Sequence, residues 1–499
     1  MVSGTGAARD AMRDVEIVDG DGLLGTGGTD PAADAELARR MARRRRRALR
    51  WWPLPATAAV LLVGMQLVLD ARERTAVAER QEVPGVLRTV DPALEPIAHL
   101  PATLGMIAVT GVDAGRLRVD TGQPGSDEAG DLVAVDSRAR EAWRTSLQAP
   151  GRGAGVQSAT CLGDTVPATV VRCLVLDGLA TTGQTDGPLP APSAARLVTV
   201  DPTTGAVRAT RDLPAASALG GADGIQVIAS VVDDVLRVTA WDTHAVPDGP
   251  DSGDGSALWD VTTGLDAAPA GGTLTPAPHA RVNGTHVLVQ TYLAVQAFDA
   301  RDGSREVDAD EHLVVTRTGH LAVLGRETTL MDPGRPAAQP LPGMPVTLTV
   351  DDGSAPGAEF LLSFDGVPRT LTAYDVAADA RLWSAEHHRW RNGLVLLDGV
   401  LYGSDREAVW AVDATTGRER WRTPTALLSE SGDMLTDGRY LLTVGPVDPL
   451  GQGPSALLAF DLSSGERRWA TPLPDGVESV WTWENGLFGV DREGVVLLN

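Results

Sequence analysis

Lysine is absent from this 499-residue sequence: all 43 basic side chains other than histidine are arginine. That bias reflects a GC-rich genome rather than a mechanism. No P-loop, Rossmann glycine pattern or nucleophile elbow occurs in a strand–turn–helix context, so nucleotide cradling and α/β-hydrolase chemistry have no motif here. Aromatic residues make up only 4%. Cysteine occurs twice, at Cys161 and Cys173, and never as an adjacent pair. The two lie on what reads as two strands around a turn. In an oxidising compartment they would staple one hairpin, worth about 3 kcal/mol for so short a loop; otherwise they are two buried thiols.

What is plentiful is glycine and proline, 55 and 33 residues. Such a composition suits many short strands joined by turns rather than long helices. The formal charge is −23. Residues 1–50 contribute about +2, so the remainder carries about −25. A surface this acidic repels phosphate backbones and argues against a nucleic-acid partner, while serving solubility.

There is one long uncharged apolar run, residues 51–69. As a helix it reaches about 28 Å, just enough for a bilayer core. Trp51 and Trp52 stand where interfacial aromatics belong, and residues 43–47 are five consecutive arginines. The pattern predicts a transmembrane helix over 51–70. Residues 1–50 would form a cytoplasmic tail, largely disordered, with a basic helix starting at Asp30-Pro31. The rest of the chain would be extracytoplasmic, with 71–99 as a linker and possible closing strand. The triplet Ala76-Val77-Ala78 has the form of a signal-peptidase site, but the charged stretch 70–74 separates it from the apolar run.

From residue 100 to 499 the chain repeats itself. Two copies run from Asp413 through Gly417 to Trp421 and from Asp461 through Gly465 to Trp469. Asp375 leads to Trp383 with Asp379 in place of Gly, and Asp136 reaches Trp143 one residue early. Asp201 with Gly205 and Asp299 with Gly303 keep the spacing without the Trp. Asp260 to Gly264 and Asp332 to Gly334 read as degenerate copies. Before each Asp lies a strand of alternating large and small residues. The Asp carboxylate caps the turn, the Gly accepts positive φ, and the Trp is a plate suited to wedging between sheets. With a further strand pair upstream, each unit holds about four strands. One such sheet cannot bury both faces alone, so the units must stack, and radial closure removes exposed ends. The expected fold is all-β: one β-propeller of seven or eight four-stranded blades, eight preferred. The partial unit at 486–498 would be completed by strands from around residues 86–120.

The pattern Ala-aromatic-Asp-x-x-x-Gly-x-x-x-Trp resembles the PQQ-like β-propeller repeat of quinoprotein dehydrogenases and BamB-like scaffolds, over residues 100–499. Quinoprotein dehydrogenases hold the quinone over a disulfide between adjacent cysteines, beside a Ca²⁺ site. This chain lacks adjacent cysteines and shows no Glu/Asn/Asp set for the calcium, so no catalytic residue, cofactor or metal is assigned. The acidic loop 248–255 lacks EF-hand spacing, and His387-His388 would point to opposite faces of a strand. The resemblance implies a non-catalytic binding or scaffolding propeller, tethered outside the cytoplasm, for a protein or cell-envelope ligand. Long insertions at 179–195, 243–256 and 445–455 are the expected recognition segments. Two other readings are a PQQ-dependent oxidoreductase and a sensor signalling to the N-terminal tail.

Overall fold

The computed structural model describes residues 53–101, 116–120, 130–135, 141–148, 156–163, 168–178, 192–222, 224–243, 257–265, 278–291, 294–309, 312–325, 327–331, 339–363, 369–387, 393–405, 408–425, 434–448, 453–477, 479–483, 485–491 and 494–498, with 36, 40 and 41. The chain forms two units, Met1–Arg74 and Thr75–Asn499.

Helix α1, Pro53–Gln81, is 29 residues long. Its prolines fall at the start, where the missing N–H costs nothing. The helix does not stop at residue 70. It continues through the charged stretch because Ala, Arg and Glu are strong helix formers, so the first part of the expected 71–99 linker is helical. Among the described residues no helix is long and apolar enough to cross a membrane. The last turn belongs to the larger unit. There Arg80 Nε donates to Asp398 Oδ2 at 2.8 Å and its Nη1 to the Gly438 carbonyl at 2.9 Å.

The described strands form nine sheets, against the seven or eight blades expected. In chain order they span 116–146, 156–213, 217–264, 279–309, 312–340, 344–387, 394–424, 435–472 and 479–498. Consecutive strands are antiparallel neighbours, with two additions. Pro96–Pro101 pairs with Gly494–Leu498 as the outermost strand of the ninth sheet. Leu348–Asp351 runs parallel to Leu394–Leu397 on the inner edge of the seventh. The first addition ties the start of the array to its end, the closure that makes a β-propeller.

Middle strands such as Ala408–Asp413 and Tyr440–Pro446 are buried along most of their length. They read Val, Leu, Ala and Trp because both faces pack on neighbouring sheets. Outer strands such as Glu419–Pro424 alternate exposed and half-buried positions and carry Arg and Glu, which blunts the open edge. Val395, Tyr402, Val409, Leu441 and Phe460 fill the seam between the seventh and eighth sheets, joined by Val86 and Val350. Residues 86–94 wedge between the eighth and ninth, burying Leu87, Val90 and Leu94 against Leu442, Leu457, Val480 and Val496. Backbone bonds hold that wedge, from Leu87 N–H to Thr436 O at 2.8 Å and from Arg88 N–H to Asn485 O at 3.1 Å.

Antiparallel alternation sorts the connections. Those joining first to second and third to fourth strands lie at one end of each sheet, called here the turn face. Those joining second to third strands lie at the other.

Candidate functional site

Every described Asp–Gly turn of the repeat lies on the turn face and is built the same way. The Asp201, Asp413 and Asp461 carboxylates each accept two backbone N–H bonds from the residues two and three positions on, at 2.8 to 3.2 Å. Asp299 accepts from Arg301 N–H at 2.6 Å and Asp375 from Ala378 N–H at 2.9 Å. Gly205, Gly303, Gly417 and Gly465 adopt φ between +68° and +74°. A third element escaped the sequence reading: an arginine seven residues after the Asp. Arg208, Arg420 and Arg468 reach back to Asp201, Asp413 and Asp461 at 2.6, 2.8 and 3.3 Å. The Arg208 guanidinium and the Thr204 and Thr203 amides hold the Asp201 carboxyl down to about 2. Burial opposes the shift at Asp461, yet the donors of Ser463 and Ser464 still bring it to about 2. Asp413, held by Arg420 and Thr415, lies lower still. In the fourth sheet the same position is Glu306, 2.7 Å from His286 Nδ1, while His286 Nε2–H donates to the Gly319 carbonyl at 2.7 Å.

The tryptophans join one sheet to the next. Trp143, Trp383 and Trp421 donate their indole N–H to the carbonyls of Pro202, Ala414 and Leu462, each the residue after the next sheet's Asp, at 2.9 to 3.0 Å. Each ring lies on the following glycine, Gly205, Gly417 or Gly465. Trp259 does the same to Ala300 and Gly303. This corrects the sequence reading: Trp259–Gly264 is the outer strand of the third sheet, not a degenerate turn. Trp469 finds no such acceptor for its indole N–H. At that junction Thr471 donates instead to Pro92 O at 2.6 Å, so the wedge stands in for a turn. Asp379 takes φ +53° and is met not by a Trp but by Gln339 Nε2 at 2.6 Å and the Tyr374 hydroxyl. Asp136 lies outside the described residues.

Cys161 and Cys173 face each other across the first two strands of the second sheet and are disulfide-bonded. Nearby, Arg196 forms a bidentate pair with Asp177 at 2.7 and 2.8 Å, and both side chains are buried.

The expected recognition segments do not share one end of the sheets. The connections at 179–195 and 445–455 join second to third strands, whereas 243–256 joins third to fourth. Most of 179–195, all of 243–256 beyond Thr243, and 449–452 lie outside the described residues, as do 248–255 and His388. His387 ends the strand Ala380–His387. Among the described residues no group of three or more metal-ligating side chains converges.

A cavity of about 370 Å³ opens on the turn face between the fifth and sixth sheets. Sequence reasoning missed it, because its residues come from a hairpin of the fifth sheet, a turn of the sixth and the insertion that carries Leu348–Asp351. Arg317 donates to the Ala355 and Ala358 carbonyls at 2.6 and 2.8 Å and lies 5.6 Å from the Phe360 ring centre. Its Nη2 donates to Asp351 Oδ1 at 3.0 Å. Its Nε is 2.7 Å from Asp351 Oδ2 but poorly aligned, an ionic contact rather than a hydrogen bond. Glu359 is fully buried and accepts from Thr318 N–H at 3.1 Å and the Thr318 hydroxyl at 3.0 Å. Burial pushes its carboxyl above the usual value despite these donors. His320 Nδ1 is 3.0 Å from the same hydroxyl.

Residues 367–470 match the family profile described as outer membrane protein assembly factor BamB. No curated protein matches the chain. Among solved structures, BamB from Moraxella catarrhalis is 14% identical, covering 81% of this chain and 99% of its own, with a TM-score of 0.39. Quinohemoprotein alcohol dehydrogenase from Comamonas testosteroni is 12% identical over 84% of this chain and 79% of its own, with a TM-score of 0.35.

Proposed function

We propose that this chain is a non-catalytic scaffolding or binding propeller, tethered to the cytoplasmic membrane by residues 51–70 and displayed on its outer side, where it holds a protein or envelope ligand. The observation that carries the scaffolding reading is the match of residues 367–470 to the BamB family profile, a stretch that includes the consecutive Trp383–Gly417 and Trp421–Gly465 junctions. Support for the tether comes from α1, where Leu61, Leu62, Met65, Leu67, Val68 and Leu69 are all about half exposed or more. Apolar side chains in that number call for a lipid or protein cover. The Cys161–Cys173 disulfide fits an oxidising compartment.

Proximity labelling from the propeller in the native host tests the scaffolding, with envelope proteins as the expected targets and a purely cytosolic set as the outcome that ends it. Protease accessibility in intact spheroplasts tests the side: the propeller is digested while residues 1–50 are protected. Saturable uptake of PQQ with dye-linked dehydrogenase activity would replace the scaffold by an oxidoreductase.

A further inference from the structure

We propose that the cavity between the fifth and sixth sheets binds a neutral, hydroxyl-bearing ligand of the carbohydrate class. The proposal does not depend on the scaffolding reading, since a surface that holds a protein needs no such cavity.

Size comes first. A volume of about 370 Å³ falls in the range of small-ligand sites and suits one or two sugar rings. Charge comes second. Among the described residues of the lining, Arg317 and Asp351 alone carry a permanent charge, and they neutralise each other. An anionic or cationic ligand would find no unpaired charge of opposite sign among these residues. That disfavours phosphates, carboxylates and amines as a class.

The polar groups also have fixed directions. With Glu359 ionised, the Thr318 hydroxyl donates to it, and His320 then donates from Nδ1–H to the Thr318 oxygen. Thr316 Oγ1 lies 3.1 Å from that oxygen and can donate to its remaining lone pair. In that tautomer of the neutral ring, Nε2 is the acceptor nitrogen. Asp351, about a third exposed, supplies further acceptor positions. A ligand for this cleft must therefore donate hydrogen bonds without carrying charge, as hydroxyl groups do.

Pro356, Val376 and Ala377 complete the lining with apolar surface, against which the C–H face of a sugar ring can lie. A purely apolar ligand would satisfy neither the His320 ring nor the open acceptor positions of Asp351, a ground for rejection. The site is preorganised as well. Arg317 is fixed by two carbonyls and an ion pair, and the His320–Thr318–Glu359 chain ends on a fully buried carboxylate. Such supporting bonds hold a binding group in place before the ligand arrives.

The test uses the full chain in detergent with maltose, sucrose and trehalose as probes, read by saturation-transfer NMR and calorimetry. At least one sugar is expected to bind saturably. His320→Phe, which fills the cleft and removes the acceptor, should weaken that binding roughly tenfold or more. Ala377 is exposed on its turn, so Ala377→Trp should block entry at an unchanged thermal midpoint. Acetate and inorganic phosphate should not compete. The proposal is overturned if none of the three sugars binds, if binding survives both variants, or if phosphate or acetate displaces the sugar. None of these results bears on the scaffolding reading, which the labelling experiment decides separately.

Discussion

The indole ring of Trp421 rests on Gly465 so closely that a Cβ on the glycine would stand 2.4 Å from it. The same relation recurs between Trp143 and Gly205, Trp259 and Gly303, and Trp383 and Gly417, at 2.6 Å each. Each junction therefore imposes two demands on one residue, positive φ and no side chain.

Gly465→Ala should destabilise the propeller by about 2–3 kcal/mol, from the clash and the left-handed backbone together. In a Trp421→Ala background the clash disappears, and the same substitution should cost only about 1 kcal/mol. Equilibrium urea unfolding of the four variants checks this. Equal costs in both backgrounds would mean that the ring is not what excludes the methyl.

Reducing the Cys161–Cys173 bridge, or replacing both residues by Ala, should cost about 2–3 kcal/mol, the value for a loop of 12 residues. Thermal melts with and without reductant measure it. Reductant should have no further effect on the Ala pair, which already lacks the bridge.

Acid should weaken the fold through the capping carboxylates. The folded pKa values of Asp201 and Asp461 are lowered to about 2, and that of Asp413 is lowered further. Their contribution is present above the unfolded value near 3.8 and is lost as pH falls toward 2. Replacing all three by Asn should flatten stability against pH between about 4 and 2, measured as denaturant midpoints.

Glu359 works with the opposite sign. Its raised carboxyl contributes stability below the ordinary value of 4.5 that is lost as pH rises through the folded value. Glu359→Gln should therefore gain on the native protein as pH rises from 4.5 to 8. A constant difference between the two chains across that window would refute the assignment.

The buried Arg196–Asp177 pair should tolerate no single neutralisation. Arg196→Met leaves a buried carboxylate uncompensated and should cost about 3–5 kcal/mol. Arg196→Met with Asp177→Leu should recover much of that loss in the same unfolding assay.

The turn chemistry of the propeller was legible in the sequence because it is local. Asp413 and Gly417 sit four residues apart and act on each other's backbone. The partner of each Trp was not legible, since Trp421 meets Leu462 across 41 residues. Trp259 was misread because Asp260 to Gly264 imitates the turn spacing while forming a strand. Asp379 makes sense only with the sheet before it in view. The fifth sheet ends in Gln339–Pro340 rather than a Trp strand, so nothing demands glycine there. The Arg pairing seven residues after Asp was readable in three copies and was overlooked. The cavity had no local signature, because His320, Asp351 and Val376 meet only after two sheets and an insertion have packed.

The pairing of Pro96–Pro101 with Gly494–Leu498 imposes an order on biosynthesis. The strand translated early must wait, its hydrogen-bonding edge open, until nearly 400 further residues have left the ribosome. A nascent chain of this kind needs shielding from premature association while it waits. A ribosome stalled a few codons short of Leu498 would release a product whose ring cannot be sealed.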